Sequence, residues 1–231
     1  MTSTLTPGAA AADPLAAAPL FAGLPTEERL ALGRLLRERS FTRGNIIVFA
    51  NDPGDALFVV ASGQVKVVLI AEDGREVILS VLGPGMVFGE MALLDGRPRS
   101  AHVIALEDAR LLVLHRRDFE QRLRESPDLA LALLREVSER LRRADDQIRN
   151  LITLDVNGRV ADLLLRMADE EDGHRVTRRL THQTIAQMVG TSRETVSRTM
   201  RQLADTEVLA VSRKEIVIRD RAALLTAARR A

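Results

Sequence analysis

The chain has 231 residues, room for two domains, with 46% apolar residues and a formal net charge of +1, the composition of an ordinary globular protein. It contains no cysteine, which excludes disulfides, thiolate zinc sites, cysteine-ligated iron–sulfur clusters and cysteine nucleophiles. No segment approaches the length of a membrane span and the first basic residue is Arg29, so the expectation is a soluble, cytoplasmic protein that uses no membrane.

Residues 1–17 are rich in alanine, carry Pro7, Gly8 and Pro14, and show no amphipathic period; they read as a disordered arm. A helix opens at Pro25-Thr26-Glu27-Glu28 and runs on through Leu30, Leu32, Leu35 and Leu36. Between 40 and 115, short apolar or β-branched runs (57–60, 65–69, 77–82, 111–114) alternate with turn signals (51–54, 62–63, 72–74, 83–85). Strands at that spacing predict an antiparallel barrel or jelly roll within residues 18–125. One loop in this region, FGEMALLDGRPRSA over 88–101, carries unusual chemistry. Gly89 allows close backbone approach, Glu90 supplies a carboxylate, and Arg99-Ser100 follow ten residues after the glycine. Backbone amides, a guanidinium and a hydroxyl can cradle a phosphate, while a carboxylate can hold a ribose hydroxyl. A buried Glu90–Arg99 ion pair closing the barrel is the alternative. Ser100 favours the phosphate reading, because a salt bridge needs no hydroxyl.

Ser126-Pro127 starts a long helix, serine as N-cap and proline in the first turn. Leu134, Val137, Leu141, Ala144, Ile148 and Leu151 recur three and four apart, and every other residue of 139–150 is polar. So narrow a stripe suits one partner helix and predicts a parallel homodimer through residues 126–154. Asp155 caps the next helix, expected from Val156 to Met167, and opens a third region, 155–231. Within it LTHQTIAQMVGTSRETVSRTMRQL, residues 180–203, reads as two short helices around a tight turn. Thr181 caps the first helix, whose apolar face is Ile185, Ala186 and Val189. Gly190 stops it, and Ser192 caps the second. Val196, Met200 and Leu203 point that second helix inward, leaving Arg193, Glu194, Ser197, Arg198 and Arg201 on the opposite face. A DNA-reading helix needs this layout, with polar N-terminal residues free to reach base edges in the major groove. Runs at 208–211 and 215–218 flank Ser212-Arg213-Lys214, predicting a hairpin with two cations at its tip that can press on phosphates. Residues 155–231 hold 14 basic against 11 acidic side chains, so DNA binding rests on where the arginines point more than on net charge.

The run GTSRETVSR, 190–198, resembles the signature of the CRP/FNR family of bacterial transcription regulators. The resemblance implies that Arg193, Glu194 and Arg198 read a TGTGA-like half-site, joined at the DNA by Thr181, Gln183, Ser192, Thr195, Ser197, Arg201 and Lys214. The chemistry agrees: arginine can grip guanine O6 and N7, and glutamate can accept from the cytosine amine. Similarly, G-E-x-A-L followed by R-S-A resembles the cyclic-nucleotide phosphate-binding cassette. By that resemblance Arg99 and Ser100 bind the cyclic phosphate, Gly89 and Glu90 hold the ribose 2′-OH, and Leu79 and Ser80 line the cavity. Met91, Ala92 and Ala101 complete the cassette, and Arg140 supports the Glu–ribose contact.

At the base the pattern departs from the family. Cyclic AMP receptors present a threonine and then serine or asparagine from the paired helices, where this chain has Ala144 and Asp145. An ionised Asp145 can only accept, either from adenine N6 or from guanine N1–H and N2–H. Cyclic AMP is the first expectation, as the common effector of the cassette, and cyclic GMP the alternative. His102, His115, His174 and His182 show no metal-ligand spacing, so no metal, haem or iron–sulfur cluster is expected. Nor is catalysis, since no nucleophile set, carboxylate pair or Walker-type loop is present. The resulting expectation is an α+β chain: a cyclic-nucleotide-binding β-roll, a long dimerisation helix and a winged helix-turn-helix. Its partners would be double-stranded DNA, a second copy and RNA polymerase. Two alternatives stay open: a same-fold regulator acting without a cyclic nucleotide, and a sensor subunit that binds no DNA and signals to a partner protein.

Overall fold

The computed structural model describes residues 13–177, 180–212 and 214–229; the expectations for residues 1–12 and for Arg213 lie outside them. The chain forms two compact units, Met1–Leu69 with Leu79–Ser138, and Ile70–Ile78 with Glu139–Ala231.

In the first unit a 3-10 turn (Pro19–Phe21) and α1 (Thr26–Gly33) lead into β1 (Arg37–Phe41), β2 (Ile46–Val48), β3 (Ala56–Ser62), β4 (Val65–Ile70), β5 (Glu76–Leu82) and β6 (Val87–Phe88). Short α2 (Glu90–Asp95), β7 (His102–Ala105), β8 (Ala109–His115) and α3 (Arg116–Glu125) follow, and α4 (Pro127–Thr153) begins in the first unit and belongs to the second from Glu139 on. The strands form two four-stranded sheets, β1-β8-β3-β6 and β2-β7-β4-β5. The β-roll expected from the alternating runs and turns is present. Strand alternation explains why β3 and β8 read as unbroken apolar runs. Ala56, Phe58, Val60, Leu111 and Val113 pack with Val48, Val65 and Val103 of the other sheet. Their neighbours Leu57, Val59, Leu112 and Leu114 pack under Leu32, Phe119, Leu129 and Leu133 of the helices. Both faces are buried over 57–60 and 111–114, so every position in those two runs is apolar.

The arm expected over 1–17 is corrected at its C-terminal end. Residues 14–17 form a turn, and Leu15 is fully buried with Phe21 and Leu24 against the helical face of the sheet. Asp13 fixes the turn, accepting from the Leu15 N–H at 3.0 Å and from the Arg29 guanidinium at 2.7 Å. A single leucine among alanines has no period, which is why the pattern hid this anchor.

α4 starts as the sequence predicts, with Ser126 Oγ accepting from the Leu129 N–H at 3.0 Å. Leu129 and Leu133 are buried, whereas Leu134 and Leu141 are each 63% exposed and Ile148 and Leu151 each 56%. Ala144 is exposed too, and Val137 is half-buried. The predicted stripe is thus an apolar face presented outward. Ile152, 79% exposed, extends it by a residue the heptad reading did not include.

The second unit contains α5 (Val156–Asp169), β9 (Arg175–Val176), α6 (His182–Val189), α7 (Arg193–Asp205), β10 (Leu209–Val211), β11 (Ile216–Ile218) and α8 (Arg221–Ala227). Its sheet runs β10-β11-β9, and its core joins Val160, Leu164, Ile185, Val196, Met200, Leu209 and Leu224. Asp155 caps α5 through the Gly158 N–H at 2.7 Å. This helix runs two residues past the expected end at Met167. β9 and α8 were not foreseen; β9 is two residues long and α8 seven, too short to impose a pattern. Among the described residues no helix is long and apolar enough to cross a membrane, and no cluster of His, Asp and Glu could hold a metal ion.

Candidate functional site

The loop singled out by its chemistry folds into a compact cassette. Gly89 ends β6 at φ 89° and Gly96 ends α2 at φ 70°, left-handed values that glycine alone adopts at no cost. A Cβ at Gly89 would also run into the Arg99 guanidinium. Arg99, 6% exposed, donates from Nη1 to the Gly89 carbonyl at 2.8 Å and from Nη2 to the Ala56 carbonyl at 2.7 Å. Its Nη2 lies 3.7 Å from Asp55 Oδ1, and its guanidinium sits 5.7 Å from the Phe58 ring centroid. Burial pulls the Arg99 pKa below the ordinary arginine value, and the Asp55 and Glu90 carboxylates offset part of that pull. An arginine stays cationic under such a shift, so a charge is held in low dielectric at the start of α2.

Glu90 is the first residue of α2 and is 1% exposed. Ala92 and Ala101 are buried with it, Met91 and Ser100 are exposed, and Leu79 and Ser80 on β5 are exposed and half-buried. Gly89, Glu90 and Arg99 therefore lie together at the start of α2, with Ser100 exposed beside them. The Glu90–Arg99 alternative is only part of the picture, because the guanidinium spends its short hydrogen bonds on carbonyl oxygens. In the second unit's part of α4, Arg140 is half-buried and Ala144 and Asp145 are exposed.

Sequence reasoning missed three residues of this cassette. Gly54 packs so tightly on α2 that a Cβ there would run into the Ala92 side chain. Asp55 faces Arg99, and Arg116 grips the far end of α2. Gly54 reads as the last residue of the turn signal at 51–54, and Asp55 falls between that turn and the apolar run at 57–60. Arg116 sat in an Arg-Arg-Asp-Phe run that reads as a helix entry.

The second constellation lies on α6 and α7. Thr181 Oγ1 accepts from the Thr184 N–H at 3.0 Å, and Ser192 Oγ from the Thr195 N–H at 3.2 Å. Gly190 turns the chain between the helices at φ 70°. Val196 and Met200 are buried, while Arg193, Glu194, Arg198 and Arg201 are exposed, as are Thr181, Gln183 and Ser192; Thr195 and Ser197 are half-buried. The Glu194 carboxyl is held below the usual range by its own backbone N–H, then by the Ser192 hydroxyl and the Arg193 charge. It is thus an ionised acceptor at neutral pH. Its contribution to the fold is present above the ordinary carboxylate pKa and fades as pH falls through the lowered folded value.

Two further side chains, Thr199 and Arg159, orient α7 and its turn. Thr199 Oγ1 donates to Asn157 Oδ1 at 2.6 Å. Arg159 donates to the Val189 carbonyl at 3.0 Å and to the Leu154 carbonyl at 3.1 Å, tying the end of α6 to the α4–α5 link. The β10–β11 turn is closed by Ser212, whose Oγ donates to the Glu215 carbonyl at 3.0 Å, with Lys214 exposed on it.

Residues 38–126 match the cyclic nucleotide-binding domain family, and residues 158–227 match the Crp-like helix-turn-helix domain family. The chain is 36% identical, over 93% of its length and 98% of the relative's, to the CRP-like cAMP-activated global transcriptional regulator of Mycobacterium tuberculosis. It is 39% identical, over 89% of its length and 94% of the relative's, to the Cyclic AMP receptor protein of Thermus thermophilus. The chain belongs to the CRP/FNR family of transcription regulators. FixK2 of Bradyrhizobium japonicum is similar in structure, with a TM-score of 0.77 at 26% identity over 85% of this chain and 98% of that one. As a CRP/FNR protein the chain is a DNA-binding regulator with a cyclic nucleotide-binding domain, and not an enzyme. Gly54, Asp55, Arg99 and Arg116 lie within the first matched region, and the whole of α6 and α7 within the second.

Proposed function

We propose that this CRP/FNR protein is a homodimer gated by a cyclic nucleotide, cyclic AMP first and cyclic GMP second, which binds a palindromic TGTGA-like operator in the cytoplasm and contacts RNA polymerase there. The observation that carries the effector reading is the convergence of Gly89, Glu90 and Arg99 at the start of α2, with Ser100 exposed alongside. Arg99 and Ser100 take the cyclic phosphate, and Gly89 and Glu90 the ribose 2′-OH. Leu79, Ser80, Met91, Ala92 and Ala101 shape the cavity. Arg140 supports Glu90, while Ala144 and Asp145 are assigned to the base. Relatives named for cyclic AMP support the first choice. The acceptor chemistry of Asp145 is what keeps cyclic GMP in play.

Residues 18–125 are then the effector domain, 126–154 the pairing helix and 155–231 the DNA-binding domain. The outward stripe from Leu134 to Leu151 supports pairing of two copies. Exposed Arg193, Glu194 and Arg198 read bases, and Lys214 and Arg201 meet phosphates. Two reading helices related by a two-fold axis engage half-sites about one helical turn apart, ~34 Å. The nucleotide shifts the population toward the arrangement that fits DNA, by as much as its affinity differs between arrangements.

The test is operator affinity at one fixed salt concentration with no nucleotide, with cyclic AMP and with cyclic GMP, since affinity varies steeply with salt. One nucleotide should tighten binding about 5- to 150-fold, the usual range of allosteric coupling. Equal affinity in all three conditions removes gating and leaves a DNA reader. No operator binding under any condition favours the sensor-subunit alternative.

A further inference from the structure

Arg116, the first residue of α3, directs its guanidinium at the main chain. Its Nε and Nη2 donate to the Gly54 carbonyl at 3.1 and 2.6 Å, Nη2 also to the Ala92 carbonyl at 2.7 Å, and Nη1 to the Leu93 carbonyl at 3.3 Å. Nη1 further donates to Glu120 Oε1 at 3.0 Å, and the Arg116 backbone N–H donates to the Asp55 carbonyl at 2.7 Å. Ala92 and Leu93 are among the carbonyls that a helix end leaves without partners. α2 has six residues, too few to hold its own shape.

The helix is therefore held from outside at both ends. Arg99 takes the carbonyl of Gly89 just before it, and Arg116 takes carbonyls within it. Both arginines also bind the segment entering β3, Arg99 at Ala56 and Arg116 at Gly54. Only arginine can do this, because a planar fork with five donors reaches several carbonyls at once and lysine offers a single point charge. Glu90, the proposed ribose ligand, lies within one turn of the carbonyls that Arg116 holds.

We propose that Arg116 is a positioning residue of the nucleotide pocket: it sets where α2 lies on the sheet, and so where the Glu90 carboxylate meets the ribose 2′-OH, without touching the nucleotide. The inference rests on the effector reading above. Its test is calorimetric titration of cyclic AMP, cyclic GMP and their 2′-deoxy forms into wild type, Arg116→Lys, Arg116→Gln and Glu120→Gln, with thermal melting of each protein. Wild type should prefer the ribo form by about tenfold or more, the usual worth of a hydrogen bond to a charged group. That ratio should fall toward one in both Arg116 variants and persist in Glu120→Gln, which leaves the carbonyl contacts intact. An Arg116 variant that binds both forms more weakly but keeps the ratio overturns the positioning role. A wild type that binds with no ribo preference overturns it together with the Glu90 assignment, and one that binds neither nucleotide overturns the effector reading as well. Should Arg116→Gln fail to fold, Arg116→Lys and its amide exchange decide: faster exchange confined to Glu90–Asp95 is expected, and unchanged exchange with an unchanged ratio overturns the proposal.

Discussion

Arg193→Ala should weaken operator binding by about 1–3 kcal/mol per half-site and relax sequence preference at one base pair. Arg193 is the first residue of α7 and is exposed. Among the described residues no hydrogen bond or salt bridge ties its side chain to the core, so its removal should leave the melting temperature almost unchanged. That combination separates a base contact from a structural one. Lys214→Ala should behave differently. A cation on the β10–β11 turn gives phosphate contact without sequence information, so its loss weakens all sequences alike and lowers the salt slope by about one. Anisotropy titrations on operator and scrambled duplexes, repeated at several salt concentrations, read both effects. If Arg193→Ala keeps both affinity and preference, α7 does not read DNA.

Arg99→Gln should lower cyclic nucleotide affinity roughly a hundredfold or more, since each hydrogen bond between a guanidinium and a charged or carbonyl oxygen contributes about 1.5–3 kcal/mol. The same substitution should lower the melting temperature, because Arg99 also holds the carbonyls of Gly89 and Ala56. The two losses have different origins, and Ser100→Ala separates them. Ser100 is exposed, so removing its hydroxyl should cost about 1 kcal/mol of binding and nothing in melting. Titration calorimetry with parallel melting curves measures both. Wild-type affinity in Arg99→Gln would place the anion site elsewhere.

Those elements whose sequence carries a repeated signal are legible in the sequence itself. Alternating runs and glycine-bearing turns marked the β-roll. Ser126, Asp155, Thr181 and Ser192 marked helix starts, and each accepts the cap hydrogen bond expected of it. Gly190 marked the turn between α6 and α7. The hidden parts are those that depend on contacts far apart in sequence. Arg116 meets Gly54 and Ala92 across 62 and 24 residues, and nothing local distinguishes it from its neighbour Arg117. Arg159 likewise looks like one more solvated cation, yet it reaches Val189 across 30 residues. Leu15 lay in a stretch whose composition argued for disorder. An anchor of one residue leaves no periodic trace.

The outward apolar face of α4 has a consequence for how this protein responds to dilution. Leucine and isoleucine at Leu134, Leu141, Ile148, Leu151 and Ile152 are more than half exposed in a single chain, and covering what remains exposed of each releases about 1–2 kcal/mol. Where a second copy does the covering, folding and association obey one mass-action law. The midpoint of thermal unfolding should then climb with protein concentration, and the abundance of the regulator would itself help set how much of it is competent.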